Sequence, residues 1–189
     1  PPGGYLHNEN DPFHFTNLNA ILSPDRFPDY FPAPRLRQRS QHSLVLIDND
    51  HRFSLEEVVE AKHSMRMLLA GQVKDDLLQA VRAARPKKEL RKAADHLEAW
   101  DNTVRADSRG GVLFEAWWVK YAQKMGEREL YAVPWSFDDP MGTPRGLADA
   151  DTVVAAFAQA VDEVVEKYGA WDLADRKSTR LNSSHTHLS

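Results

Sequence analysis

The sequence of 189 residues contains no cysteine. Disulfide bonds, thiol nucleophiles and cysteine-ligated zinc sites are therefore excluded for this chain. It also lacks an apolar run close to the roughly 20 residues that span a bilayer. The formal net charge is only −4, so we expect neither a nucleic-acid partner nor a membrane partner.

What is present is a composition with 42% hydrophobic residues, which is typical of one soluble domain or of a piece of a larger one. The opening Pro1–Gly4 indicates a piece. Residues 175–189 change composition abruptly, and Asp175–His185 matches the translation of a common short-read sequencing adapter. We therefore expect residues 175–189 to be a non-native tail, whose two histidines form no metal site.

The stretch Gly3–Pro12 concentrates unusual residues. Two glycines precede Tyr5–His7, for which we predict a short strand, and then Asn8, Asn10 and Asp11 come just before a proline. These short polar side chains favour turns and tolerate unusual backbone angles. Two interpretations stay open: a polar strand-to-loop junction, or a carboxamide held to donate a hydrogen bond to a developing oxyanion.

The remainder predicts a mainly α fold with about five helices after a short strand and long ordered loops. Ser54 and Glu57 form a capping-box pattern, and Gly71 and Gly169 are typical C-terminal caps. Asp107-Ser108 is a plausible cap for another helix. The predicted helices cover residues 54–71, 73–84, 87–100 and 151–168, and the fifth begins after the Asp107-Ser108 cap.

Two stretches before residue 54 are less regular. Residues 13–31 are rich in prolines and aromatic rings, which could pack in the core or line an apolar acyl pocket. Residues 35–47 begin basic and end apolar, which is typical of a solvated basic face leading into a buried helix.

Three ordered motifs resemble the penicillin acylase family of N-terminal-nucleophile (Ntn) hydrolases: Gly4–Pro12, Leu97–Asp101 and Ser108–Trp117. The resemblance implies that residues 1–174 are a partial catalytic β chain, from a parent protein with an α+β, αββα Ntn sandwich. Residues 1–12 would end the Ntn core, 13–53 would be the proline and aromatic loop region, and 54–174 the helical part. The alternative is a non-catalytic helical module that binds a partner protein.

The resemblance also implies a site. It places the oxyanion asparagine on Asn10 and a supporting arginine on Arg39, with Arg35 and Arg37 close by. A structural calcium ion with Asp25 or Asp29 as contributor is implied, and no catalytic cofactor. The resemblance places the nucleophile, an N-terminal serine, outside this chain, so that residues 1–174 alone should be inactive. They should also expose apolar side chains, namely Phe13, Phe15, Tyr30, Phe31 and Trp117 or Trp118.

The implied reaction is hydrolysis of a linear amide in an N-acylated small molecule. The acyl group stays open between phenylacetyl, glutaryl and fatty chains, and the amine between a β-lactam nucleus, a homoserine lactone and a lipopeptide. The implied partners are this substrate, the α chain and the preceding part of the β chain. The implied location is periplasmic or secreted.

Overall fold

The computed structural model describes residues 4–49, 51–126 and 129–174. The adapter-like tail predicted at 175–189 lies outside the described residues. The described part is mainly helical, which confirms the predicted fold class. Its α-helices are α1 (Gln38–Ile47), α2 (Leu55–Lys62), α3 (Leu68–Ala83), α4 (Lys88–Ala99), α5 (Gly111–Met125) and α6 (Ala150–Tyr168). Short 3-10 helices cover Phe13–Phe15, Leu18–Ala20 and Pro24–Arg26.

The predicted strand at Tyr5–His7 is wrong, since no strand occurs within the described ranges. Within those ranges no second strand pairs with this segment. His7 N donates a single backbone hydrogen bond to Thr16 O, at 3.0 Å. One such bond fixes the path of the chain without forming a sheet.

The described residues form two compact units, each with its own core. The first contains the residues up to Ser64 together with Trp135–Thr143. Its core is formed by Phe15, Leu36 and Leu44, against which Tyr5, Leu18, Trp135, Phe137 and Met141 pack. Gln41 on α1 is 1% exposed and donates from Nε2 to Pro140 O at 2.7 Å and Thr143 O at 2.6 Å.

The second unit contains Met65–Pro134 and the described residues from Pro144 onward. Here α5 packs mainly on α6, and α3 packs on α4 and α6. Trp117 is fully buried on α5 and donates from Nε1 to Val153 O at 3.3 Å. The exposure predicted for Phe15 and for Trp117 is therefore wrong, and Phe13 and Trp118 are half-buried. Tyr30 and Phe31 are exposed as expected.

The helix predicted over 54–71 is two helices, and Gly71 is not a cap but lies inside α3. Between α2 and α3, the chain forms an antiparallel bridge from Arg66 to Thr103. Met67 N donates to Asn102 O at 2.8 Å, and Val104 N donates to Met65 O at 2.9 Å. These tertiary bonds replace the helical ones, so the helix breaks there despite its periodic sequence.

The predicted caps are confirmed at two other helix ends. Ser54 and Glu57 form the predicted capping box at the start of α2. Gly169 ends α6 in the left-handed conformation, with φ of 84°. The predicted cap at Asp107-Ser108 is wrong, because α5 begins at Gly111 with Gly110 as its N-cap.

His14 gives the first unit a testable response to acid. Its side chain is 1% exposed, stacks on Phe13 with ring centroids 4.5 Å apart, and has no partner at Nδ1 among the described residues. Burial lowers the pKa of His14. The stabilisation from the neutral ring is therefore complete above its unfolded pKa of about 6.5 and is lost as pH falls through the lower folded value.

We expect His14→Phe to resist acid better than the wild type, because phenylalanine cannot acquire a buried charge. The measurement is the urea midpoint at intervals between pH 7 and pH 4. His63→Phe, at an exposed histidine, is the control, and its urea midpoint should change with pH as that of the wild type does. If the urea midpoints of His14→Phe and the wild type change by the same amount between pH 7 and pH 4, His14 does not control the response to acid.

Candidate functional site

The turn formed by Asn8–Asp11 has a defined backbone geometry. Asn10 N donates to Asn8 Oδ1 at 2.8 Å, which is an Asx turn. Asn10 itself has a φ of 68°, in the left-handed region that asparagine tolerates better than most residues. The Asn10 side chain is exposed, and the Asx turn with Asn8 fixes the backbone that carries it.

The carboxylate of Asp11 ties this turn to the first turn of α1. Its side chain is only 5% exposed. Oδ2 accepts from Arg37 N at 2.8 Å and from Ser40 Oγ, and Oδ1 accepts from Arg37 Nε at 2.6 Å. We call Asp11, Arg37 and Ser40 the Asp11 clamp.

Electrostatics favour an ionised Asp11 in this clamp. Burial raises the pKa of Asp11, but the hydrogen bonds from Ser40 and Arg37, together with the Arg37 charge, outweigh it and hold the pKa below its ordinary value. The Arg35 guanidinium adds a positive charge, with Nε 3.8 Å from Oδ1. At neutral pH the clamp is therefore a set of charge-assisted hydrogen bonds.

Two arginines of the α1 end also reach the turn directly. Arg37 Nη2 donates to Asn10 O at 2.9 Å. Arg39 Nη2 donates to Asn10 Oδ1 at 3.2 Å and to Glu9 O. Of the three candidate arginines, the structure thus brings Arg37 and Arg39 to Asn10, whereas Arg35 approaches only Asp11.

The contact with Arg39 sets the orientation of the Asn10 carboxamide. A guanidinium has donors only, so it must face the carboxamide oxygen and not the nitrogen. The carboxamide nitrogen Nδ2 then lies away from the Arg39 guanidinium, and it has no acceptor among the described residues. The arrangement can therefore present one oriented N–H donor to an external oxygen.

Comparison with known families identifies the chain. The family model described as penicillin amidase matches residues 1–188. The chain belongs to the penicillin amidase family. The family is one of amide hydrolases, in agreement with the acylase resemblance of the motifs.

Within this penicillin amidase chain, sequence reasoning missed the Asp11 clamp. The sequence predicts Asp11 only as a turn residue before Pro12 and gives Ser40 no role. The available signal was the position of Ser40, three residues after Arg37 at the start of a helix, where a hydroxyl can bind a carboxylate. The sequence alone does not show that this carboxylate comes from residue 11.

The aromatic segment of the penicillin amidase chain divides between core and surface. Phe15 is buried in the core of the first unit. Phe13 contacts the rings of Phe27 and Phe31, with centroids 4.7 and 5.8 Å away, and Tyr30 is 83% exposed. Core packing is therefore confirmed for Phe15, and an acyl-pocket role for the exposed rings stays a prediction.

The predicted calcium contributors lie in the same segment. Asp25 lies in the 3-10 helix Pro24–Arg26 and accepts from Ser23 Oγ at 3.3 Å, and Asp29 is exposed. Among residues 4–49, 51–126 and 129–174, no group of three or more acidic or histidine side chains is placed to hold a metal ion. The calcium assignment stays a prediction.

No helix in the described part of the chain has the length and apolar character to cross a membrane.

Proposed function

We propose that this chain supplies the oxyanion-binding asparagine, Asn10, to an enzyme that hydrolyses the amide bond of an N-acylated small molecule. The observation that carries the proposal is the oriented carboxamide. Arg39 holds Oδ1 at 3.2 Å, which leaves Nδ2 as a preorganised donor. Such donors are most effective when fixed before the negative charge develops.

The nucleophile in this proposal is an N-terminal serine from a segment outside residues 1–174. Its free α-amine, with an ordinary pKa near 8, can accept the proton of its own hydroxyl. Attack on the amide carbonyl gives a tetrahedral oxyanion, to which Asn10 Nδ2 donates. Ser40 does not fit the role of nucleophile, because it is 1% exposed and a substrate carbonyl cannot reach its hydroxyl.

Arg39 has a supporting role in the proposed reaction. Its donors go to Asn10 Oδ1 and Glu9 O, so it fixes the turn and polarises the carboxamide. A polarised carboxamide is a better N–H donor at Nδ2. The substrate class is an acylated β-lactam nucleus, homoserine lactone or lipopeptide, and calcium bound through Asp25 or Asp29 would act only structurally.

The proposed partners are the α chain and the preceding part of the β chain. Every residue of α2 is exposed or half-buried, and Leu55, Val58 and Val59 are 74, 51 and 49% exposed. An apolar helix face of this kind is typical of a surface that another polypeptide covers.

We expect residues 1–174 expressed alone to hydrolyse no amide, whereas the product of the complete reading frame should do so. The reason is that Asn10 stabilises an oxyanion that only the missing nucleophile can generate. The measurement is release of a chromogenic amine from phenylacetyl, glutaryl and fatty-acyl amides. Turnover by purified residues 1–174, unaffected by further purification, would contradict the proposal.

A further inference from the structure

The aspartate beside Asn10 has more partners than its own turn requires. The Asx acceptor of the turn is Asn8, which receives the Asn10 N–H. Asp11 instead directs a 5% exposed carboxylate towards α1, where three donors from Arg37 and Ser40 meet it. A buried carboxylate with three donors is a fixed point in the structure.

The Asp11 carboxylate also constrains the backbone of Asn10, through Arg37. One guanidinium, that of Arg37, binds Asp11 Oδ1 through Nε at 2.6 Å and Asn10 O through Nη2 at 2.9 Å. Since the guanidinium is rigid and planar, it fixes the Asn10 carbonyl relative to the Asp11 carboxylate. The backbone of Asn10 is therefore held at its N–H by Asn8 and at its C=O by Arg37.

The clamp also sets the distance between Asn10 and Arg39. Arg37, Arg39 and Ser40 all lie at the start of α1. When Asp11 binds Arg37 and Ser40, the same helical turn carries Arg39 to the Asn10 carboxamide. The direction of Asn10 Nδ2 thus depends on Asp11, which makes no hydrogen bond with it.

We propose that Asp11 is a positioning residue for the oxyanion donor: its carboxylate ties the Asn8–Asp11 turn to α1 and thereby aims Asn10 Nδ2. This inference rests on the proposed function of Asn10. Asp11 contacts neither substrate nor nucleophile in this role. It acts only through Asn10, and that dependence makes the proposal testable.

The test is a double-mutant cycle in the complete, matured enzyme. Asp11→Asn keeps the side-chain size but removes the charge and turns an NH2 group towards donors of the clamp. We expect kcat to fall roughly 10- to 100-fold, because displacements of about 1 Å cost that much. KM should change little, since the oxyanion forms only in the transition state. In an Asn10→Ala background, Asp11→Asn should have almost no further effect on kcat.

Rates are expressed per active site, counted by stoichiometric covalent labelling of the nucleophile, so that poor maturation is not read as poor catalysis. Ser40→Ala removes a single donor to Asp11 and should give a smaller loss with the same dependence on Asn10. If Asp11→Asn yields no matured enzyme, the Ser40→Ala cycle decides. Asp138→Asn, at an exposed aspartate of the same unit, is the matched control and should keep wild-type kcat.

The outcomes separate the two proposals. Near-normal kcat in Asn10→Ala would overturn the proposed function of Asn10. A low kcat in Asn10→Ala with normal kcat in Asp11→Asn would overturn the positioning role alone. Equal losses from Asp11→Asn with and without Asn10 would also overturn it, because Asp11 would then act by another route.

Discussion

Replacing Asn10 with aspartate in the complete, matured enzyme is expected to lower kcat by about two to three powers of ten. The aspartate loses the Nδ2 donor and places a negative charge where the oxyanion develops. It should therefore be no better than Asn10→Ala. KM should change little, because the lost interaction exists only in the transition state.

Aspartate is the more informative replacement because it preserves the fold. It tolerates the left-handed conformation at φ 68°, and its carboxylate can still accept from Arg39. Asn49→Asp is the control for the change from amide to carboxylate, at an exposed residue of the same unit that lies outside the turn. Its kcat should be retained. If matured Asn10→Asp also kept near-normal kcat, Asn10 would be only a turn residue.

Gly110→Ala is expected to destabilise the second unit by about 3 kcal/mol, the upper range for overpacking. A Cβ at this position would lie 2.4, 2.7 and 2.8 Å from Cγ, Cδ2 and Cβ of Trp100. Trp100 is 5% exposed, and its Nε1 donates to Thr103 O at 2.9 Å and Ser108 Oγ at 2.8 Å. The ring therefore cannot move aside without breaking these bonds.

Gly169→Ala is the matched control for this prediction. Gly169 has a positive φ of 84°, but open space surrounds the position of its missing Cβ. Its substitution should cost only about 1 kcal/mol of backbone strain. The measurement is the urea midpoint followed by tryptophan fluorescence. Equal midpoints for the two variants would show that the Trp100 contact does not limit residue 110.

The contrast between these two glycines shows what the sequence could predict about the fold. Gly169 follows a long amphipathic stretch, and its role as a cap depends only on that local pattern. Gly110 lies over Trp100, ten residues earlier, and Ser108 is occupied by Trp100 and Thr103 instead of capping α5. Local signals therefore predicted the end of α6 but not the start of α5.

The same distinction applies to the candidate site. The residue types of Asn8 and Asn10 predict a turn, because an Asx turn joins residues two apart. The donors to Asp11 lie 26 and 29 residues away, and their arrival depends on where α1 begins. Family resemblance could suggest Arg39, but only the geometry shows that Arg37 binds Asn10 O and Asp11 at once.

The two hydrogen bonds of Gln41 also have a consequence for biosynthesis. They join α1 to residues 99 and 102 positions further along the chain. At about 5 to 20 residues per second, the ribosome needs on the order of 5 to 20 s to make that stretch. During this interval α3, α4 and α5 are all synthesised, but the two acceptors of Gln41, on Pro140 and Thr143, have not yet been made. The attachment of α1 to Pro140 and Thr143 is therefore completed late, after most of the second unit has been synthesised.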